Sequence, residues 1–173
     1  MPVTIVKDDM FESKAEAYCN PVNCFGVMGA GLAKEFWLRY PDRCIGYKNA
    51  CQEHTLEPGR VLSHADGRRT PRTIFHVATK DHWSRPSKIE WIVAAAEILA
   101  ERCKQLKIKS IAIPALGCGK GGLAWPVVKK VIEKAFGTIA PEVEVELYPP
   151  HTDEKVKKPL PKPASRNKDA KVV

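Results

Sequence analysis

Two glycine-rich segments constrain the fold of this chain more than any other feature. The first spans residues 20–33 and the second spans residues 114–125; each follows a short apolar run and leads into a helical pattern. Glycines at a strand-to-helix turn let backbone N–H groups approach a ligand closely, and the helix N-terminus adds partial positive charge there. Two such turns in one small domain predict a ligand with two phosphates that lies between them.

The remaining pattern predicts strands that alternate with helices. Short β-branched or apolar runs predict strands at 3–7, 16–20, 60–64, 72–78, 109–113 and 142–148. Helical spacing predicts helices at 31–40, at 42–51 with Asp42 as N-cap, after the capping box Ser87-x-x-Glu90, and from Pro126 to Phe136, closed by Gly137. The alternation predicts an α/β fold whose largely parallel sheet has helices on both faces. Ligands bind such sheets beyond the carboxyl ends of the strands, where both glycine loops lie.

Composition divides the chain into one domain and a tail. Residues 1–150 are predicted to fold, whereas residues 151–173 are rich in Lys and Pro without any apolar period, which predicts a disordered basic extension. The net charge is +8, and the seven basic and three acidic residues of the tail supply +4 of it. This charge fits a polyanionic partner and fits general solubility equally well.

Several functional classes are excluded at this stage. The sequence has no apolar run long enough to span a membrane, and its first residues lack the pattern of a signal peptide. The six cysteines show no C-x-x-C spacing and the five histidines are dispersed, so we expect reduced thiols, a cytoplasmic location and no metal site.

Two common phosphate-binding motifs are also excluded. The first loop reads Gly26-x-x-Gly29-x-Gly31 rather than G-x-G-x-x-G, so it does not match a Rossmann fingerprint. In the second loop, Gly121 follows Lys120 where a P-loop requires Ser or Thr. The sequence therefore supports neither a dinucleotide-binding Rossmann domain nor an NTPase.

The two loops resemble those of macrodomains, which are ADP-ribose-binding modules. The resemblance rests on Asn20-Pro-Val-Asn23 before the first loop and on Gly117-Cys-Gly119 in the second, and it covers roughly residues 1–150. It implies a three-layer α/β/α fold with a central mixed, largely parallel sheet. It also implies ADP-ribose as ligand and no cofactor.

A second pair of motifs resembles one branch of that family, the DarG-type antitoxins. These motifs are Ala78-Thr-Lys80-Asp-His-Trp83 and Gly121-Gly-Leu-Ala-Trp125. Proteins of this branch remove ADP-ribose from DNA thymidines and are related to the terminal ADP-ribose protein glycohydrolases. The resemblance implies ADP-ribosylated, single-stranded DNA as substrate and a DNA-modifying toxin as partner.

The same resemblance predicts the residues that bind ADP-ribose. Asp9 matches the acidic residue that meets the adenine amino group, although a turn Asp after a strand is the other reading. Asn20 opens the first motif, and Asn23 matches the Asn that faces the distal ribose, with bracing of the loop as its alternative role. Backbone amides are predicted to wrap the diphosphate at Gly29, Ala30, Gly31, Leu32, Gly117, Cys118, Gly119, Lys120 and Gly121.

Lys80 is the predicted catalytic residue, because the related hydrolases place their catalytic Lys here. An amine at this place can attack the anomeric carbon, donate a proton to the leaving group, or stabilise negative charge on the departing base, and the sequence does not choose among these roles. The protein-directed relatives carry a second acid, an Asp, where this chain has Gly121. That difference argues against glutamate-linked substrates and favours DNA.

Two further residues and two further functions are left open. His82 and Trp83 are predicted either to contact a nucleobase or to pack inside the fold. One alternative function is an ADP-ribose-binding module without catalysis, for which Lys80 would be unnecessary. The other is a hydrolase that acts on ADP-ribosylated protein or on ADP-ribose esters.

Overall fold

A computed structural model describes residues 3–151, so the predicted tail lies outside the described residues except for His151. The strands are β1 (Val3–Ile5), β2 (Ala17–Asn23), β3 (Val61–Ala65), β4 (Thr73–Lys80), β5 (Ser110–Pro114) and β6 (Glu144–Tyr148). The α-helices are α1 (Gly31–Arg39), α2 (Ile45–Gln52), α3 (Ile89–Gln105) and α4 (Trp125–Ile139), and short 3₁₀ turns span Met10–Glu12 and Pro41–Cys44. None of these helices has the length and apolar character that crossing a lipid bilayer requires.

The six strands form one sheet in the order β1-β6-β5-β2-β4-β3. β3 pairs with β4 in antiparallel fashion, and the remaining neighbours are parallel, which confirms the predicted mixed, largely parallel sheet. The two strands that follow β2 in the chain, β3 and β4, lie on one side of it, whereas β5 and β6 lie on its other side. The direction of the chain connections therefore reverses between β2 and β5. Crevices at such a reversal point are the usual ligand sites of open α/β sheets.

Helices cover both faces of the sheet, which confirms the predicted three-layer architecture. Successive strand residues point to opposite faces: Cys19 packs into the core formed with α3 and α4, whereas its neighbour Tyr18 packs into the core formed with α1 and α2. Leu99 of α3 and Phe36 of α1 have no exposed surface. Burying a side chain of this size contributes about 1.5–3 kcal/mol, so both layers are held by apolar packing.

The predicted capping box at Ser87 is wrong. Helix α3 begins at Ile89 with Lys88 as its N-cap, and no side chain caps it. The N–H group of Ser87 instead donates to the carbonyl oxygen of Gly121 at 3.0 Å. Tertiary packing against the second glycine loop thus keeps Ser87 out of the helix.

Two other helix ends differ from their predictions. Asp42 lies inside a 3₁₀ turn and forms an ion pair with Arg69 at 3.0 Å, so it does not cap α2. Helix α4 continues past Gly137 to Ile139, which packs against the core. A glycine inside a helix costs about 1 kcal/mol, and the apolar contact beyond it offsets that cost.

Candidate functional site

Three loops meet at the carboxyl edge of the sheet. The first glycine loop (residues 24–30) follows β2, the β4–α3 loop (81–88) follows β4, and the second glycine loop (115–124) follows β5. The rings of Phe25 and His82 lie 4.6 Å apart, which joins the first glycine loop to the β4–α3 loop. The hydrogen bond from Ser87 to Gly121 joins the β4–α3 loop to the second glycine loop. The loops therefore form one continuous surface.

Asn23 braces the first glycine loop from inside. Its Oδ1 accepts hydrogen bonds from the N–H groups of Phe25 at 2.9 Å and Val27 at 3.3 Å, and its Nδ2 donates to the carbonyl of Val27 at 2.9 Å. The hydroxyl of Tyr47 donates to the carbonyl oxygen of Asn23 at 2.7 Å. Asn23 is only 8% exposed. The bracing role that the sequence left open is present, and contact with a ribose stays a prediction.

The start of helix α1 presents free backbone donors. Ala30 is the N-cap and makes no side-chain capping bond. The first amides of an α-helix have no acceptor within the helix, and within residues 3–151 those of Gly29, Ala30, Gly31 and Leu32 donate to no protein group. Gly31 has a φ of 58°, a conformation that glycine adopts without steric cost. These unpaired donors belong to the set that the sequence predicted for the diphosphate, and their contact with a phosphate stays a prediction.

The second glycine loop is a compact turn that leaves its outer amides unpaired. Gly117 has a φ of 72°, and its carbonyl accepts from the N–H of Leu123 at 2.9 Å. The N–H of Cys118 donates to Ala115 at 3.1 Å, so this amide of the predicted set is already engaged. In the described part of the chain, the amides of residues 119–121 have no such partner.

The glycines of this loop serve different purposes. A Cβ atom on Gly119 would meet no atom within 4 Å, so the fold itself does not require glycine there. A Cβ atom on Gly121 would lie 2.4 Å from the carbonyl oxygen of Gly117 and 2.5 Å from Oγ of Ser87. Real Cβ atoms do not come so close, so this backbone cannot hold an acidic side chain at position 121.

Lys80 is the last residue of β4 and lies in register with Asn23. The register between β2 and β4 shifts between Val22, which pairs with Ala78, and Asn23, which pairs with Lys80. Bulges of this kind are common beside active sites, where they redirect a side chain. The sequence predicted that β4 ends at Ala78, whereas the strand continues to Lys80.

The amine of Lys80 is held at the edge of the surface. Its Nζ donates to the carbonyl oxygen of Trp83 at 3.4 Å. Partial burial and the neighbouring charge of Lys120 lower the pKa of the Lys80 amine. A lowered pKa increases the fraction of neutral amine, which is the form that can attack an electrophile.

Asp9 and Asn20 take structural positions. Asp9 follows β1 at the same edge of the sheet, and its Oδ1 accepts from the N–H of Phe11 at 2.9 Å, as in the turn reading. Asn20 has no exposed surface, and its Nδ2 donates to Nδ1 of His76 at 3.1 Å. His76 in turn donates from Nε2 to the carbonyl of Arg43 at 2.9 Å. Asn20 therefore lies beneath the loop rather than on its surface, and its predicted contact with the ligand stays untested.

Sequence reasoning missed three residues of this region. Phe25 is 61% exposed beside His82, Ser87 is buried under the second glycine loop, and Tyr47 reaches the first loop from α2. Of these three, only Phe25 could have been identified from the sequence, because it is an aromatic residue inside a glycine-rich turn. The contacts of Ser87 and Tyr47 depend on tertiary packing.

The other cavities and clusters do not compete with this surface. An open groove of about 580 Å³ lies between Arg60 and Gln105, and no predicted site residue lines it. Within residues 3–151, no group of three or more His, Cys, Asp or Glu side chains is arranged to hold a metal ion.

Comparison with known families matches residues 19–132 to the Macro domain family. The chain is 39% identical over 146 residues to the DNA ADP-ribosyl glycohydrolase of Thermus aquaticus, covering 84% of this chain and 40% of that protein. It is 32% identical over 164 residues to a DNA ADP-ribosyl transferase-DNA ADP-ribosyl glycohydrolase fusion protein of Thermosipho africanus, covering 86% of this chain and 42% of that protein. The chain thus spans about two fifths of the length of these relatives.

Solved structures show the same similarity. The macrodomain of Thermus aquaticus DarG superposes with a TM-score of 0.80 at 38% identity, over 86% of this chain and 98% of that one. Thermosipho africanus DarTG in complex with ADP-ribose superposes with a TM-score of 0.80 at 30% identity, over 90% of this chain and 43% of that one.

Proposed function

The chain belongs to the macrodomain family, and we propose that it is a glycohydrolase that releases ADP-ribose from thymidine bases of DNA. Relatives named DNA ADP-ribosyl glycohydrolase support this proposal. Because the chain spans only part of their length, their activity and partners apply to it as proposals.

The strand order supports a specific placement of ADP-ribose. Asp9 follows β1, the two glycine loops follow the adjacent strands β5 and β2, and Lys80 ends β4. Strands lie about 4.8 Å apart, so β1 and β4 are separated by about 19 Å. The adenine would lie towards Asp9, the diphosphate between the free amides of the two glycine loops, and the distal ribose near Asn23 and Lys80.

The observation that carries the proposal is the position of Lys80. Lys80 lies in register with Asn23 of the adjacent strand. Its amine lies at the edge of the surface formed by the glycine loops, and the pKa of that amine is lowered. A module that only binds ADP-ribose has no need of such an amine. In the proposed reaction, water cleaves the bond between the anomeric carbon of the ribose and thymine; the carbon gains a hydroxyl group and the base gains a proton.

The roles of Lys80 follow from its protonation state. The neutral amine could attack the anomeric carbon, and the ammonium form could protonate the departing base or stabilise its negative charge. The crowding at Gly121 supports a site without a second acid, because a side chain there would collide with Gly117 and Ser87. This absence favours DNA over glutamate-linked protein substrates.

We further propose a DNA ADP-ribosyl transferase as the toxin partner and single-stranded DNA as the form of the substrate. The name of the Thermosipho africanus relative combines both activities in one protein, which supports a functional pair. A toxin that modifies DNA would act in the cytoplasm, and the six free cysteines are compatible with that reducing compartment.

The test compares Lys80→Ala with Lys130→Ala, a matched exposed lysine on α4. The assay measures ADP-ribose released from an ADP-ribosylated single-stranded oligonucleotide and from an ADP-ribosylated protein, and calorimetry measures binding of free ADP-ribose. We expect Lys80→Ala to lose about 10²–10⁴-fold in DNA cleavage and to keep ADP-ribose binding, because backbone amides supply most of that contact.

The other outcomes separate the alternatives. A wild-type protein that binds ADP-ribose but cleaves neither substrate is a binding module. Faster release from protein than from DNA identifies a protein-directed hydrolase. Cleavage that survives in Lys80→Ala moves the chemistry to another group, and loss of both binding and cleavage makes Lys80 a structural or phosphate-binding residue.

A further inference from the structure

We propose that Phe25, His82 and Trp83 form an aromatic platform on which an unpaired nucleobase next to the modified thymidine stacks. This inference rests on the proposed function and names a subsite for its substrate. Phe25 is 61% exposed and Trp83 is 55% exposed. Large apolar side chains exposed together on one surface typically mark a binding site.

The platform is built from two separate loops. Phe25 belongs to the first glycine loop, and its ring meets that of His82 edge to face, with centroids 4.6 Å apart and planes at 74°. His82 and Trp83 belong to the β4–α3 loop, with centroids 5.1 Å apart and planes at 32°. His82 therefore lies between the two exposed rings and joins them.

The central ring is held before any ligand arrives. The backbone N–H of His82 donates to Oδ1 of Asp81 at 2.7 Å, and the N–H of Ser84 donates to Nδ1 of the imidazole at 3.1 Å. The second bond requires Nδ1 to be the unprotonated nitrogen of the ring. A stacking surface that is already ordered loses little conformational entropy when a base binds.

The platform begins where the proposed leaving group would lie. The carbonyl of Trp83 accepts from Nζ of Lys80 at 3.4 Å, which places the platform next to the proposed catalytic amine. The diphosphate donors lie on the glycine loops, so the DNA strand leaves the site on the Lys80 side. Phe25, His82 and Trp83 are therefore positioned for a neighbouring nucleotide.

The charges beside the platform are mostly positive, and the carboxylate of Asp81 next to it is paired with Arg85 at 3.0 Å. Nζ of Lys48 donates to the carbonyl of Gly26 at 3.2 Å, next to Phe25. Lys120 lies close enough to Lys80 for its charge to lower the pKa of that amine. Three cations near exposed aromatic rings suit phosphates and base faces together. In a duplex these faces are hidden by stacking, so the occupant is a single strand.

The experiment compares two substrates that differ only in the neighbouring bases: ADP-ribosylated thymidine monophosphate and a single-stranded oligonucleotide carrying the same modification. The variants are Phe25→Ala and Trp83→Ala, with Phe25→Tyr and Trp83→Phe as aromatic controls. Leu106→Ala, an exposed apolar residue just after α3, is the control for loss of surface area. Melting temperatures confirm that each variant folds.

The measured quantity is kcat/KM for the oligonucleotide divided by kcat/KM for the mononucleotide. Stacking of one base should make this ratio fall about 5- to 150-fold in each alanine variant. The aromatic controls and Leu106→Ala should keep the wild-type ratio.

Two results would overturn the platform. The first is an unchanged ratio in the alanine variants, and the second is an equal loss on both substrates. A wild-type protein that cleaves neither DNA substrate would instead refute the proposed function, before the ratio is ever compared.

Discussion

Two alanine substitutions in the second glycine loop should separate folding from ligand binding. Gly119 and Gly121 are two residues apart, and alanine adds one methyl group at each. At Gly121 that methyl carbon would lie 2.4 Å from the carbonyl oxygen of Gly117, 2.5 Å from Oγ of Ser87 and 2.8 Å from the carbonyl carbon of Gly117. At Gly119 it would meet no atom within 4 Å.

The contact distances set the expected magnitudes. Overpacking of this kind costs about 1–3 kcal/mol, and each kcal/mol lowers the melting temperature by about 2–4 °C in a domain of this size. Gly121→Ala should therefore melt about 2–12 °C below the wild-type protein. Gly119→Ala should melt at or slightly above the wild-type temperature, because replacing glycine at an unstrained position reduces the entropy of the unfolded chain.

For ADP-ribose binding, Gly119→Ala should have a larger effect than Gly121→Ala. ADP-ribose at 100 times its Kd adds about 2.7 kcal/mol to the stability of a protein that binds it. A methyl group at Gly119 would stand in open space. In the proposed placement the diphosphate lies against this loop, so Gly119→Ala should lose most of that ligand-induced shift. Thermal melts with and without ADP-ribose measure both effects in one experiment.

Two results would contradict this account. A Gly121→Ala protein with the wild-type melting temperature would show that the loop relaxes without cost, and the steric argument against an acid at this position would fail. A Gly119→Ala protein with the full ADP-ribose shift would show that the diphosphate does not lie on the outer face of this loop.

Two further predictions concern the buried side chains beneath the first glycine loop. Burial lowers the pKa of His76 from 6.5 to about 4, so the unfolded chain binds the proton first, and stability should fall by roughly 3 kcal/mol as the pH drops from 7 to 4. Urea unfolding at both pH values measures this loss, and His76→Gln should show a shallower decline; equal slopes would contradict the assignment. Tyr47→Phe removes the 2.7 Å hydrogen bond to Asn23, which should cost about 1–3 kcal/mol and weaken ADP-ribose binding; unchanged urea stability would show that this bond contributes nothing.

Local sequence patterns predict much of the architecture. The β-branched runs and the helical spacing of apolar residues predicted each strand and α-helix of residues 3–151 in approximate position, because periodicity reflects which faces must be buried. They also predicted that both glycine loops lie at the carboxyl ends of strands. The 3₁₀ turn at Met10–Glu12 was not predicted. The boundaries were less accurate: β2 and β4 continue to Asn23 and Lys80, beyond the predicted ends at Asn20 and Ala78.

The helix ends show where local signals fail. The Ser87-x-x-Glu90 motif has the residues of a capping box, yet the N–H of Ser87 binds Gly121 and its Oγ has no hydrogen-bond partner within residues 3–151. Gly137 is followed by two more helical residues. In both cases a contact with a distant segment outweighs a local preference of about 1 kcal/mol.

The sequence by itself determined the α/β class and the two glycine-rich turns at strand ends, because each depends on residue type and local spacing. Lys80 was chosen on the resemblance to the related hydrolases, and local pattern alone does not distinguish it from a surface lysine. Tertiary structure alone decided the register that sets Lys80 beside Asn23, the crowding that excludes a side chain at Gly121, and the meeting of Phe25 with His82. These features depend on the strand order, which brings β5, β2 and β4 side by side although long stretches of chain separate them. Periodicity reports which face of an element is buried, but it carries no information about which distant residue will lie against that face.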